Sequence, residues 1–147
     1  MTAVVLDSGP LSLLCHPRNP PHAAACRQWL AALRAAGRRV IIPELADYEV
    51  RREFIRRNSR RALSILDQWN TQLEYLPIST MAMRIAADLW AQVRNAGVPT
   101  AGPGALDGDV ILAAQATALN VTIVVATENP GHLARFVPAE LWSNVIP

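Results

Sequence analysis

Lysine is absent from this chain: all 14 of its basic residues are arginine, set against 12 acids for a net charge of +2. Arginine's planar fork suits bidentate phosphate contacts, but an alanine-rich, all-arginine composition reflects a GC-rich genome equally well. Cysteine is scarce, with only Cys15 and Cys26. Two cysteines make no disulfide framework, so both read as reduced and buried. Long apolar runs are missing as well. The clearest, Val121 to Ala126, is far too short to cross a bilayer. The N-terminus lacks a basic region followed by a long apolar stretch, so no secretory signal is expected. These absences argue against a disulfide-stapled secreted scaffold and a membrane span, and point to the cytoplasm. What remains is a chain of 147 residues, 51% hydrophobic, long enough for one domain with a sizeable core and too short for two. It has no internal repeat, linker or low-complexity segment.

Strand-like and helix-like segments alternate. Residues 3–6 read as a strand, and Ser8-Gly9-Pro10 turns it toward a short helix. After the proline-rich stretch Pro17 to Pro21, Ala23 to Ala36 reads as a helix stopped by Gly37. Val40-Ile41-Ile42 is a second strand, and Pro43 fits the first turn of the helix that carries Glu49. Ser59 is a candidate N-cap for the next helix, whose apolar positions Ala62, Ile65, Leu66, Trp69 and Leu73 recur at helical spacing. Tyr75 to Ile78 is a candidate third strand, confined to an edge by Pro77. A helix with Ala82, Ile85, Ala86, Leu89 and Val93 on one face then ends at Gly97.

Val98 to Gly108 reads as a Gly/Pro loop and Asp109 to Leu119 as an alanine-rich helix. Val121 to Ala126 is β-branched and almost wholly apolar, as a buried parallel strand should be. Gly131 to Phe136 is a candidate short helix and Asn144 to Ile146 a candidate edge strand. This alternation predicts a layered α/β domain with helices on both faces of the sheet.

The acids are placed unevenly along this pattern. Asp7 ends the first strand, Glu49 and Asp109 sit near helix starts, and Thr127-Glu128-Asn129 closes the last main strand. A parallel sheet gathers the carboxyl ends of its strands at one edge, where ligands bind. Acids distant in sequence would converge there. Clustered carboxylates repel unless a cation sits among them, so the pattern reads as a Mg²⁺ or Mn²⁺ site. Each acid also has a plainer explanation. Asp7 can simply cap a turn or helix. Glu49 can pair with Arg52 one helical turn away. Asp107 and Asp109 suit the positive end of a helix regardless of function.

Taken together, Leu6-Asp7-Ser8, Pro43 followed by Glu49, Asp109-Val110-Ile111-Leu112-Ala113-Ala114-Gln115-Ala116 and Thr127-Glu128-Asn129 resemble the PIN-domain ribonucleases. Their order and spacing are most similar to VapC-type toxins of bacterial toxin–antitoxin pairs, over nearly the whole chain. The resemblance implies a three-layer PIN-like domain over residues 1–147, with a central, mainly parallel sheet flanked by helices. It implies that Asp7, Glu49 and Asp109 bind Mg²⁺ or Mn²⁺, that Thr127 orients the site and that Asn129 matches the family's usual Asn. The family often has another Asp three residues after that Asn, and here the position is His132. Asp107 or Glu128 would then stand in as the fourth acid, or His132 itself binds metal or substrate, or it is a turn histidine without a role.

A hard divalent ion lowers the pKa of a water and offsets charge on a phosphodiester. In-line attack would leave a 5′-phosphate and a 3′-hydroxyl, as the resemblance implies. The partners implied are an RNA substrate, a small antitoxin whose tail covers the acidic site, and a second copy of the chain in a homodimer. The rival from another class is a module that keeps the fold and binds RNA or protein without efficient cleavage. An RNA-processing PIN nuclease without an antitoxin is a third reading.

Six arginines, Arg51, Arg52, Arg56, Arg57, Arg60 and Arg61, fall within eleven residues. Arg52, Arg56 and Arg60 are spaced to form one helical face along a phosphate backbone, unless Ser59 starts a new helix and breaks the row. The plainer reading is a solvated face on which Glu53 pairs with Arg56 or Arg57. Trp29, Trp69, Trp90 and Trp142 read as core or dimer contacts rather than base-stacking platforms. Cys15, His16, His22 and Cys26 are zinc-type ligands, but without paired Cys-x-x-Cys spacing. Gly102-Pro103-Gly104 does not directly follow a strand, which argues against a dinucleotide loop. A phosphatase with Asp7 as nucleophile usually carries a second acid two residues later, where this chain has Gly9.

Overall fold

The computed structural model describes the backbone of residues 1–97 and 103–147, and side chains except those of 98–104. The elements run β1 (Ala3–Leu6), α1 (Ser8–Leu14), α2 (Pro21–Ala35), β2 (Val40–Pro43), α3 (Glu44–Arg56), α4 (Arg60–Gln72) and β3 (Glu74–Leu76). They continue with α5 (Thr80–Asn95), α6 (Pro103–Ala118), β4 (Ile123–Thr127), α7 (Pro130–Leu133) and β5 (Ala139–Leu141), followed by a 3₁₀ turn at Trp142–Asn144.

Five strands form one parallel sheet in the order β3-β2-β1-β4-β5. The central strands β1, β2 and β4 are buried along their whole length, which explains why they read as continuous apolar runs rather than alternating ones. β1 is flanked by β2 (Val4 beside Val40) and by β4 (Val4 beside Val124, Leu6 beside Ala126). The chain winds outward from β1 to β3 and then returns to start β4 on the other side of β1. The carboxyl ends of β1 and β4 therefore flank the topological switch point, where a parallel sheet opens a crevice. Asp7 and Thr127 sit at those two ends.

Helices cover the sheet, and the largest core joins the strands to Leu11 and Leu14 of α1, Leu30 and Leu33 of α2, Val50 and Phe54 of α3, and Leu66 of α4. A second, smaller core lies between α5 and α6, built on Ala82, Ala86, Leu106, Val110 and Ala114. The small side chains of Ala82, Ala86 and Ala114 let the two helices pack closely. Trp29 and Trp142 are buried with their rings edge to face at 5.5 Å, and Trp69 is partly buried with its indole donating to Leu14 O at 3.0 Å. Trp90 is exposed on α5, where Arg94 lies over its ring. No helix among the described residues is long and apolar enough to cross a membrane.

Several boundaries differ from the sequence expectations. The helix carrying Asp109 begins at Pro103, so the Gly/Pro loop expected over 98–108 is already helical from 103, and its part at 98–102 lies outside the described residues. Proline suits a first helical position because its missing N–H has no partner there anyway. The last strand is Ala139–Leu141, not Asn144 to Ile146. Its register against β4 places Ala139 beside Val125 and Leu141 beside Thr127, and the following residues turn to bury Trp142 and Val145. The helix expected from Gly131 to Phe136 is the single turn Pro130–Leu133.

The proposed arginine row is broken. α3 ends at Arg56, Asn58 takes a left-handed conformation at φ 55°, and Arg60 opens α4. Asparagine tolerates that region better than most residues. Arg60 therefore belongs to a different helix from Arg52 and Arg56.

Candidate active site

Asp7 caps the first turn of α1, and both of its carboxylate oxygens are held. Oδ1 accepts from the Ser8 backbone N–H at 2.8 Å, and Oδ2 accepts from the Thr127 hydroxyl at 2.7 Å. Thr127 is buried, and its Oγ1 also accepts from the Asn129 N–H at 3.1 Å. One hydroxyl thus ties the end of β1 to the end of β4 and to the start of α7. The capping role expected for Asp7 is real, and it leaves the carboxylate aimed across the switch point.

Glu49 projects from the middle of α3 toward α6. Its Oε2 would lie only 3.0 Å from a Cβ placed on Gly108, so glycine there lets the carboxylate rest against α6 beside Asp109. Burial raises the pKa of Glu49, the Asp7 charge adds to the rise, Arg52 opposes it and Asp109 raises it further. Burial likewise raises the pKa of Asp109, where His132 opposes the shift, Asp7 adds to it and Arg135 opposes it. The three carboxylates therefore feel one another across a poorly solvated space. Their cationic neighbours stand off: Arg52 Nη2 is 3.9 Å from Glu49, and His132 Nδ1 is 3.9 Å from Asp109.

Two depressions divide these acids between them, Asp7 and Asp109 in one and Glu49 in the other. A cavity of about 170 Å³ is lined by Asp7, Ala105, Asp109, Asn129, His132 and Leu133. A groove of about 360 Å³ runs between α1 and α3, past Ser8, Ser12, Glu49, Arg52, Glu53 and Phe54. Among the described residues no three acidic, histidine or cysteine side chains already stand close enough to hold one ion. The donor chemistry nonetheless fits a hard divalent cation: three carboxylates, two with pKa values raised by burial and a like charge, and among the described residues no basic group nearer to them than the 3.9 Å of Arg52 and His132.

The other candidate residues separate clearly. Asn129 lines the cavity, and so does His132, at the position where an acid was expected. Asp107 is exposed and, two residues from Asp109, lies about 200° around the helix from it. The structure does not bring Asp107 together with the other acids. Glu128 does not line the cavity either. Its Oε1 accepts from His22 Nε2 and Trp142 Nε1, each at 3.1 Å.

Arg52 lies beside Glu49 with its guanidinium 4.9 Å from the exposed Tyr48 ring. Arg56 and Arg57 both bind Glu53, whose carboxyl is pulled down to about 2 by these contacts, the Arg56 hydrogen bond foremost. Arg51 turns to Asp47 and Asp67 at 2.8 Å each. Most of the basic segment is thus matched by its own acids. The zinc-type residues do not converge: Cys15 and Cys26 are buried thiols pushed up to about 12 mainly by burial, His16 hydrogen-bonds at Arg18 and His22 at Glu128.

Gln115 was invisible as a site residue, although it shapes the site. It is buried on α6; its Oε1 accepts from the Leu45 N–H at 3.1 Å, and its Nε2 donates to Leu76 O at 2.9 Å. α3 opens after Pro43, which has no side-chain oxygen to cap it. Gln115 supplies that cap from another helix and so fixes the helix of Asp109 to the helix of Glu49. An amide among alanines gives no periodic signal in sequence.

A five-stranded parallel sheet flanked by helices, with Asp7 and Asp109 lining one cavity at its switch point, is the architecture of a PIN-like domain. The chain belongs to the PIN domain family, whose model matches residues 4–135. PIN domains are generally nucleases that use divalent metals. The fold is similar to those in VapBC2 from Rickettsia felis bound to a promoter DNA fragment (TM-score 0.72, 17% identity, 95% of this chain and 98% of that one). It is also similar to DNA-bound VapBC from Salmonella typhimurium (TM-score 0.67, 22% identity, 97% and 99%) and to FitAcB from Neisseria gonorrhoeae (TM-score 0.69, 17% identity, 97% and 99%). No curated protein sequence matches the chain.

Proposed function

We propose that residues 1–147 form one domain that acts as a metal-dependent endoribonuclease, the toxin of a type II toxin–antitoxin pair, in the cytoplasm. The arrangement that supports this reading is Asp7 and Asp109 lining one cavity with Glu49 set against α6 near them, the Asp7 carboxylate held by the Thr127 hydroxyl and the other two raised in pKa chiefly by burial and further by the Asp7 charge. These three carboxylates would hold Mg²⁺ or Mn²⁺. A bound divalent ion would supply Lewis-acid chemistry, making a water more acidic and offsetting charge on the phosphodiester. Thr127 keeps Asp7 oriented, Asn129 and His132 face the cavity that would receive the scissile phosphate, and Arg52 offers a phosphate contact at the mouth of the adjoining groove. Arg56 and Arg60, the other proposed RNA contacts, have weaker support: Arg56 is engaged by Glu53 and Arg60 starts another helix.

The fold's likeness to toxins solved with their antitoxins supports a small antitoxin as partner. The apolar side chains that α5 leaves in solvent, Met81, Met83 and Trp90, support a homodimer. His132 in the place of an acid favours a second reading, a PIN-like module that binds RNA with little cleavage.

The deciding experiment is incubation of the purified, antitoxin-free chain with total RNA in Mg²⁺, Mn²⁺ or EDTA. Discrete fragments that need the ion and vanish in Asp7→Asn are expected. RNA retained but intact with both ions would overturn the nuclease and leave the binding module.

A further inference from the structure

Glu128 sits between Thr127 and Asn129, yet it faces away from the cavity those residues serve. Its side chain runs across the first turn of α1: a Cβ on Gly9 would lie 2.5 Å from Glu128 Cγ and 3.1 Å from its Cβ. Beyond that crossing, one carboxylate oxygen accepts both the His22 imidazole of α2 and the Trp142 indole that follows β5. The two donor rings stack at a tilt, 5.5 Å between centroids, and Trp142 is itself packed against Trp29, whose indole donates to Val145 O at 2.9 Å. Four segments therefore meet on one glutamate: the α1 turn that begins with Asp7, the β4–α7 turn that carries Thr127 and Asn129, the start of α2 and the C-terminal turn.

We propose that Glu128 is a positioning residue, a strut that fixes the β4–α7 turn against α1 and so sets Asn129 and Thr127 relative to Asp7. A strand alternates its side chains, so an extended Thr-Glu-Asn segment can turn Glu128 outward while its neighbours face the site. The outward anchor acts where the inward geometry is decided. The strut needs the stem of Glu128 to lie over Gly9 and an acceptor oxygen to reach the two donors; it does not need negative charge. Glutamine meets both requirements, because its carbonyl oxygen accepts two hydrogen bonds. This role rests on the nuclease reading for its kinetic consequence, but not for its structural one.

The test combines Glu128→Ala, Glu128→Gln, Gly9→Ala and the Gly9→Ala/Glu128→Ala double variant in the full chain, with the wild-type unfolding midpoint as the folding reference. Gly9→Ala must push the Glu128 stem aside, whereas removing Cγ makes room for the new methyl. In RNA cleavage, kcat is expected to fall about tenfold in Glu128→Ala and in Gly9→Ala with KM little changed, since misplacing reactive groups costs rate rather than affinity. The double variant should be no worse than Glu128→Ala, and Glu128→Gln should restore the wild-type rate. A change confined to KM, multiplicative losses in the double variant, or a dead Glu128→Gln would overturn the strut in favour of a substrate or metal contact. A second readout needs neither metal nor RNA: the Trp142 indole N–H and the Thr127 and Asn129 amide resonances of the metal-free protein. They should move together in Glu128→Ala and Gly9→Ala and stay in place in Glu128→Gln. If wild type cleaves nothing, these resonances still decide the strut; unmoved Thr127 and Asn129 signals would refute it on their own.

Discussion

Replacing Gln115 with methionine keeps the length and approximate volume of the side chain and removes both of its hydrogen bonds. The Leu45 N–H, buried at the start of α3, would have no other partner, while the Leu76 carbonyl lies at an edge strand where water can reach it. An orphaned buried group costs about 1–3 kcal/mol, so the first loss is set at about 2 kcal/mol and the second, partly rehydrated, at about 1 kcal/mol. Extra apolar burial by the methionine returns about 1 kcal/mol. The net expectation is a loss of about 2 kcal/mol, read as a lower urea midpoint with an unchanged m-value.

Gln115→Glu sharpens the experiment. Its carboxylate can still accept from Leu45 but meets the Leu76 carbonyl with a lone pair, in a position only 1% exposed. Burial raises the folded pKa of such a glutamate above its unfolded value near 4.3. The variant is therefore least stable at neutral pH and recovers as the pH falls through the folded pKa, because the protonated acid can donate to Leu76. A Gln115→Met midpoint within about 0.5 kcal/mol of wild type would refute the remote-cap account, since ordinary surface changes lie in that range.

Further outcomes follow from the same geometry. Thr127→Val keeps the shape but loses the hydroxyl that donates to Asp7 and accepts from Asn129, so kcat for RNA cleavage should fall about tenfold, measured beside an unfolding midpoint lowered by about 1–2 kcal/mol. Burial works to raise the Asp47 pKa, but hydrogen bonds from Arg51 and Asn70 and the Arg51 charge outweigh it, leaving it below the ordinary carboxylate value. A depressed folded pKa contributes stability above the unfolded pKa that is lost on acidification. Asp47→Asn should therefore be less stable than wild type at pH 7, with the gap closing below about pH 4 in a pH series of urea melts. Arg52→Ala should weaken RNA retention and reduce its salt dependence, whereas Arg60→Ala, on a separate helix, should change both much less; equal effects would restore a continuous arginine face.

The sequence carried the alternation of apolar strands with periodic helices, and with it the layered parallel sheet. Local chemistry fixed several ends: Asp7 capping α1, Gly37 and Gly97 at positive φ just past α2 and α5, and Pro77 beside an edge strand. Asp7 and the Thr127-Glu128-Asn129 segment could be assigned to one edge because strand ends in such a sheet share it, whereas Glu49 and Asp109, which lie on helices, and the roles given to Thr127 and Asn129 rested on the resemblance to PIN-domain ribonucleases. Other features depended on partners far away in the chain. A three-residue strand such as Ala139–Leu141 exists only because β4 offers its edge, so its residues carry no signal of their own. The arginine row looked continuous until the left-handed turn at Asn58 divided it, and Glu53 engaged Arg56 while Asp47 and Asp67 engaged the neighbouring Arg51. Gln115 reaches 70 positions back to Leu45, and Glu128 reaches 106 back to His22. Propensity and periodicity act over a few residues and are written locally, whereas hydrogen bonds between distant segments exist only once packing has brought their donors and acceptors together. That is why the strand and helix pattern was legible in the sequence, and why the contacts of Gln115 and Glu128 were decided by the tertiary structure.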